Sequence, residues 1–72
     1  MTKTMRVFEV AVKARRKAHA ERLGLAEKAY AALTNKNTRY AGDVRLQISF
    51  NREIVGVCDR YLQQVESRRA RL

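Results

Sequence analysis

Between residues 44 and 51 the chain reads Val44-Arg45-Leu46-Gln47-Ile48-Ser49-Phe50-Asn51. Apolar residues hold every second position, with Arg45, Gln47 and Ser49 between them. Side chains alternate sides along a strand but recur at three and four along a helix, so period two predicts a strand. Val44, Leu46, Ile48 and Phe50 then share one face, and the three polar residues share the other. Asn51 closes the strand and is placed to cap a helix that starts at Arg52. A strand cannot stand alone, so another segment, or a second copy of the chain, must lie beside it.

Two segments are candidates for that neighbour. Thr2 to Val12 is rich in β-branched residues, and Phe8, Val10 and Val12 alternate with Glu9 and Ala11, which favours a strand over a helix. Thr38-Arg39-Tyr40 reads as a short strand, and Ala41-Gly42-Asp43 has the chemistry of a turn leading into Val44. Lys13 to Leu33 is Ala-rich, lacks proline and predicts a long helix. Its second half carries a stripe of Leu23, Leu25, Ala26, Ala29, Tyr30, Ala32 and Leu33. Asn35-Lys36-Asn37 stops it. A second helix follows Asn51, with Ile54, Val55, Val57, Cys58, Tyr61, Leu62 and Val65 on one side. Residues 66–72 read as a frayed basic tail ending in Leu72.

The expected architecture is therefore α+β, in the order β-α-(β)-β-α, within one domain spanning residues 1–72. Two long helices pack on a small sheet or on a ribbon shared across a dimer. The expected core is Phe8, Val10, Leu25, Ala29, Leu33, Val44, Leu46, Ile48, Phe50, Ile54, Cys58, Tyr61 and Val65. The alternative is an all-α antiparallel hairpin of residues 5–34 and 44–71. A chain of 72 residues buries little surface and needs a staple, a metal or a partner. Cys58 is the only cysteine, and one Cys with one His (His19, expected at the surface) cannot build a zinc shell. A homodimer is the default, with no cofactor and no metal.

Sixteen Lys and Arg face seven Asp and Glu, a formal charge of +9. Such a field suits nucleic acid or an acidic protein surface. No apolar run is long enough to cross a membrane, and a lone thiol suits a reducing compartment, so the expected location is cytoplasmic, with no membrane partner. The carboxylates are scattered, and there is no phosphate loop and no nucleophile motif, which argues against an enzyme. The densest cationic cluster is Lys13, Arg15, Arg16, Lys17 and Arg22, followed by the tail Arg68, Arg69 and Arg71. Both are placed to meet phosphates. Arg39 and Tyr40 offer a cation beside an aromatic ring for stacking on an unpaired base.

Arg45, Gln47 and Ser49 share the polar face of the expected strand, and Arg and Gln can bond base edges from a ribbon in the major groove. Strand, cap and amphipathic helix over Val44 to Val65 resemble the opening of ribbon-helix-helix repressors. The resemblance implies a ribbon built from two chains, with Arg45 and Gln47 reading bases. That family places two helices after its strand, whereas this chain has one after and one before. The functional expectation is a small nucleic-acid-binding regulator. The alternative is a modulator or inhibitor, of the phage or mobile-element accessory type, that docks a basic surface on an acidic partner protein.

Overall fold

A computed structural model of the chain describes residues 3–71. Two α-helices, α1 (Lys3–Ala31) and α2 (Arg39–Ala70), fold back on each other as an antiparallel hairpin. No strand occurs among the described residues, so the α+β expectation is corrected to the all-α hairpin. Thr2 and Leu72 lie outside the described residues.

The helices meet along a seam with alternating steps of three and four. On α1 it runs through Met5, Glu9, Val12, Arg16, His19, Leu23, Ala26 and Tyr30. On α2 it runs through Ala41, Val44, Ile48, Asn51, Val55, Cys58, Leu62 and Val65. Every one of these residues is buried or half-buried. The mean step of 3.5 residues keeps one stripe of each helix facing the other over the length of the pair.

This period explains the failure of the strand reading. Val44, Ile48 and Asn51 are spaced four and three apart, and Val44 and Asn51 are buried. Leu46 falls on the outer side and is 70% exposed, while Phe50 falls on a flank. Val44 and Ile48 share the seam, but Leu46 and Phe50 do not join them, so the four alternating apolar residues do not form one face. The ribbon between two copies falls with the strand, and Arg45, Gln47 and Ser49 do not form a base-reading face. Asn51 sits in mid-helix instead of capping one. The same logic governs the N-terminal segment, where Met5, Glu9 and Val12 turn inward while Phe8 and Val10 stay exposed.

Of the expected core, Val44, Cys58 and Val65 are buried. Ala29, Leu33, Ile48, Ile54 and Tyr61 are half-buried, and Phe8, Val10, Leu25, Leu46 and Phe50 are exposed. The fully packed positions go to small residues: Ala26, Ala41, Val44, Cys58 and Val65. The molecule is a rod of 53 × 18 × 15 Å with a radius of gyration of 16.2 Å. A compact chain of this length would have a radius of about 11 Å.

The helices are joined by residues 32–38, held without any left-handed residue. The amide of Leu33 donates to Tyr30 O at 3.1 Å, tightening the end of α1. Asn35 Oδ1 accepts from the Asn37 amide at 2.9 Å, an Asx turn. Lys36 Nζ donates to Leu33 O at 3.0 Å and lies 5.4 Å from the Tyr30 ring centroid. Thr38 then caps α2, its Oγ1 accepting from the Ala41 amide at 3.0 Å. The predicted short strand and turn at 38–43 are thus the cap and first turn of α2. At the other end α2 runs through residues 66–70, which were expected to fray, and its last turn carries Arg68 and Arg69, where cations complement the helix dipole.

Candidate nucleic-acid interface

The seam is polar toward the open end of the hairpin, away from the loop. Glu9 lies in it with a side chain only 9% exposed. Its carboxylate accepts from Lys13 Nζ at 3.3 Å on its own helix and from Arg69 Nη2 at 2.7 Å across the seam. Burial works to raise the Glu9 carboxyl. The hydrogen bond from Lys13 and the charges of Arg69 and Lys13 outweigh it and hold the group below its ordinary value. About two turns further along, Arg16 donates to Asp59 across the pair. That hydrogen bond and the charge of Asp59 raise the guanidinium's pKa further.

At mid-rod, His19 and Asn51 face each other in the seam, with Nδ1 and Oδ1 2.8 Å apart. Asn51 Nδ2 donates to Gln47 O at 2.8 Å, which turns its carbonyl oxygen toward the ring and assigns His19 Nδ1 as the donor. The Phe50 ring meets His19 edge-on, with centroids 6.0 Å apart. His19 is therefore buried, against the expectation of a surface residue. Its reason is the seam position, seven residues after Val12 and seven before Ala26.

These pairs fix which cations lie together. Glu9–Arg69, Arg16–Asp59 and the Phe8–Tyr61 ring contact at 5.5 Å bring residues 3–20 against residues 54–71. This open half holds ten cations, Lys3, Arg6, Lys13, Arg15, Arg16, Lys17, Arg60, Arg68, Arg69 and Arg71, against Glu9, Asp59 and Glu66. Its formal charge is +7. The loop half, residues 21–53, holds six cations and four carboxylates, for +2.

Of the residues singled out from sequence, Lys13, Arg15, Arg16, Lys17, Arg68, Arg69 and Arg71 are brought together in the open half. Arg22, Arg39, Tyr40, Arg45 and Gln47 are not. Arg22, Tyr40 and Gln47 line a separate cleft nearer the loop, and Arg45 Nη1 donates to Lys36 O at 3.4 Å. Within the open half, Lys13, Arg16 and Arg69 are tied to carboxylates of the hairpin itself.

The outer surface of α2 in this half is different. Arg60, Gln63, Gln64, Ser67, Arg68 and Arg71 line an open cleft of about 420 Å³ with no carboxylate on its wall. Arg60, Gln63, Gln64 and Ser67 escaped the sequence reading, which stopped at runs of charge. Their signal is the spacing 60, 64, 67, 68 and 71, one stripe of a helix. Lys3 and Arg6 add cations to the first turn of α1, which has no acidic residue and where the helix dipole is also positive.

Among the described residues no group of three or more His, Cys, Asp or Glu gathers as a metal cluster. Among them, too, no helix is long and apolar enough to cross a membrane. Comparison with protein-family models, with curated proteins and with solved structures finds no match.

Proposed function

We propose that the chain is a small non-enzymatic nucleic-acid-binding protein that grips the phosphate backbone with the open half of the hairpin. The observation that carries this reading is the cleft of Arg60, Arg68 and Arg71 with Gln63, Gln64 and Ser67, whose own wall holds no carboxylate although Asp59 and Glu66 stand in the adjoining one, set within the +7 half. Guanidinium groups bond phosphate oxygens through two parallel N–H donors, and amide and hydroxyl groups supply the neutral contacts that set position. Arg15 adds a cation from α1 on the flank of Arg68, and Lys13 and Lys17 add theirs on the opposite flank, so both helices present cations to a bound strand.

Contacts of this kind release condensed counterions, so affinity falls steeply with added salt and carries little sequence preference. The base-reading role of Arg45 and Gln47 required a ribbon and is not part of this reading. A titration of the nuclease-treated protein against labelled duplex DNA, single-stranded DNA and RNA, at low and then physiological salt, tests it. Binding that weakens linearly in log–log form with salt is expected. Absence of binding to all three at low salt overturns it.

A further inference from the structure

The hairpin has one flank that it does not finish. On α1, Phe8, Arg15, Arg22 and Ala29 recur every seven residues beside the seam. On α2, Tyr40, Gln47, Ile54 and Tyr61 do the same, with Phe50 and Val57 one step further out. The Phe8–Tyr61 ring contact joins the two rows at one end. An open cleft of about 460 Å³, lined by Arg22, Leu25, Ala29, Tyr40, Gln47 and Phe50, joins them at the other. Phe8, Leu25, Tyr40 and Phe50 are 58–68% exposed here, whereas the buried apolar seam positions are Ala, Val and Cys. Four large apolar side chains thus line this flank on the outside, and an exposed apolar patch of this kind marks an interaction site.

Its charge selects the occupant. Arg15 and Arg22 stand in the groove one heptad apart, and neither has an ion-pair partner among the described residues. Asp43, near the loop, is the lone carboxylate of this flank. On the opposite flank Arg52 reaches Glu27 at 3.8 Å and Arg16 is bonded to Asp59, so those cations are satisfied internally.

We propose that this flank is a docking groove for an acidic amphipathic helix of a partner protein, which completes a three-helix bundle. From Phe8 to Ala29 the groove spans about 30 Å, the length of a helix of about 20 residues. The partner lays apolar side chains at i, i+3, i+4 and i+7 over Phe8, Leu25, Phe50 and Tyr61. Carboxylates one heptad apart, about 10 Å along its axis, meet Arg15 and Arg22. A second copy of this chain is a poor occupant, because it brings Arg15 and Arg22 against an equally cationic groove and desolvates like charges together. The proposal shares Arg15 with the nucleic-acid reading, and Arg68 continues the α2 row beyond Tyr61, but its apolar anchors Phe8, Leu25, Phe50 and Tyr61 play no part in phosphate binding.

The test titrates the full chain with two synthetic helical peptides that share Leu at the a and d heptad positions. One carries Glu at the e and g positions, the other Lys. Sedimentation in the same buffer reports self-association. Binding of the acidic peptide alone is expected, weakened tenfold or more by Phe50→Ser and by Arg15→Glu with Arg22→Glu, and little changed by Lys17→Glu with Lys28→Glu. Circular dichroism confirms that each variant keeps its helices, as exposed positions allow. Equal binding of the basic peptide, or equal loss in the Lys17/Lys28 control, overturns the proposal. So does no binding, or a homodimer that Phe50→Ser dissolves. Phe50→Ser leaves the salt dependence of nucleic-acid binding unchanged, so the two readings fail separately.

Discussion

The two halves of the hairpin are held together by different physics. Near the loop the seam is apolar, with Leu23, Ala26, Tyr30, Ala41, Val44 and Ile48, and the turn is closed by Thr38 and Asn35. Toward the open end the seam admits Glu9, Arg16 and His19, matched by Arg69, Asp59 and Asn51. The loop half supplies burial without regard to partner. The open half also buries Cys58 and Val65, but each polar group in its seam is satisfied in one register only, because a slip by one turn strands a charge or a donor. That half also carries most of the net charge, so its like-charge repulsion is offset in place by the pairs that set the register.

The sharpest way to break this division is at its boundary. Asn51→Ala leaves the buried His19 Nδ1–H without an acceptor and is expected to cost about 2–3 kcal/mol in urea unfolding. Replacing both residues, His19→Leu with Asn51→Leu, removes the stranded donor and recovers most of that loss. If Asn51→Ala is neutral, the seam does not depend on its polar pairs.

A second contrast lies between seam and flank. Val44→Ala removes two buried methyl groups and is expected to destabilise by about 2 kcal/mol. Phe50→Ala removes a whole ring, yet that ring is 59% exposed, and the expected change is below about 0.5 kcal/mol. The smaller side chain matters more because it is the one inside. Equal losses would show that the flank is packed in solution, as in a self-associated chain.

The smallest effect is one of pH. The Glu9 carboxyl sits below its ordinary value of 4.5 in the folded hairpin. A lowered carboxyl stabilises the fold above its unfolded value, and that contribution is lost as pH falls through the folded one. Unfolding temperatures measured from neutral pH downward should decline across the carboxylate range, and Glu9→Gln should flatten part of that decline. An unchanged slope in Glu9→Gln would mean that Glu9 contributes nothing to the acid sensitivity.

Part of the loop half, and two buried positions of the open half, were legible in sequence. Leu23, Ala26 and Tyr30 form a helical stripe, Asn35-Lys36-Asn37 stops it, and Cys58 and Val65 read as buried, because each depends on neighbours within one or two turns. The stretch at 44–50 misled because its seven residues fit period two, while the period of 3.5 shows only over the longer run from Ala41 to Val65. The polar seam was illegible for another reason. Glu9 and Arg69 are 60 residues apart, and nothing local marks Glu9 as buried until the helix that brings Arg69 to it is known. The basic segments at 13–17 and 68–71 were visible as composition. Their meeting in one half of the rod required the antiparallel register.

The most direct test removes equal charge from the two halves. One variant carries Lys17→Gln, Arg60→Gln, Arg68→Gln and Arg71→Gln. The other carries Arg22→Gln, Lys28→Gln, Arg39→Gln and Arg52→Gln, all within the helices. Gln keeps helix propensity, so both remain hairpins of the same net charge. The slope of log affinity against log salt, measured on the nucleic acid the protein binds best, should shrink in the first variant and stay near wild type in the second. Equal slopes in the two variants would show that net charge alone drives binding, and that the open half is not a site.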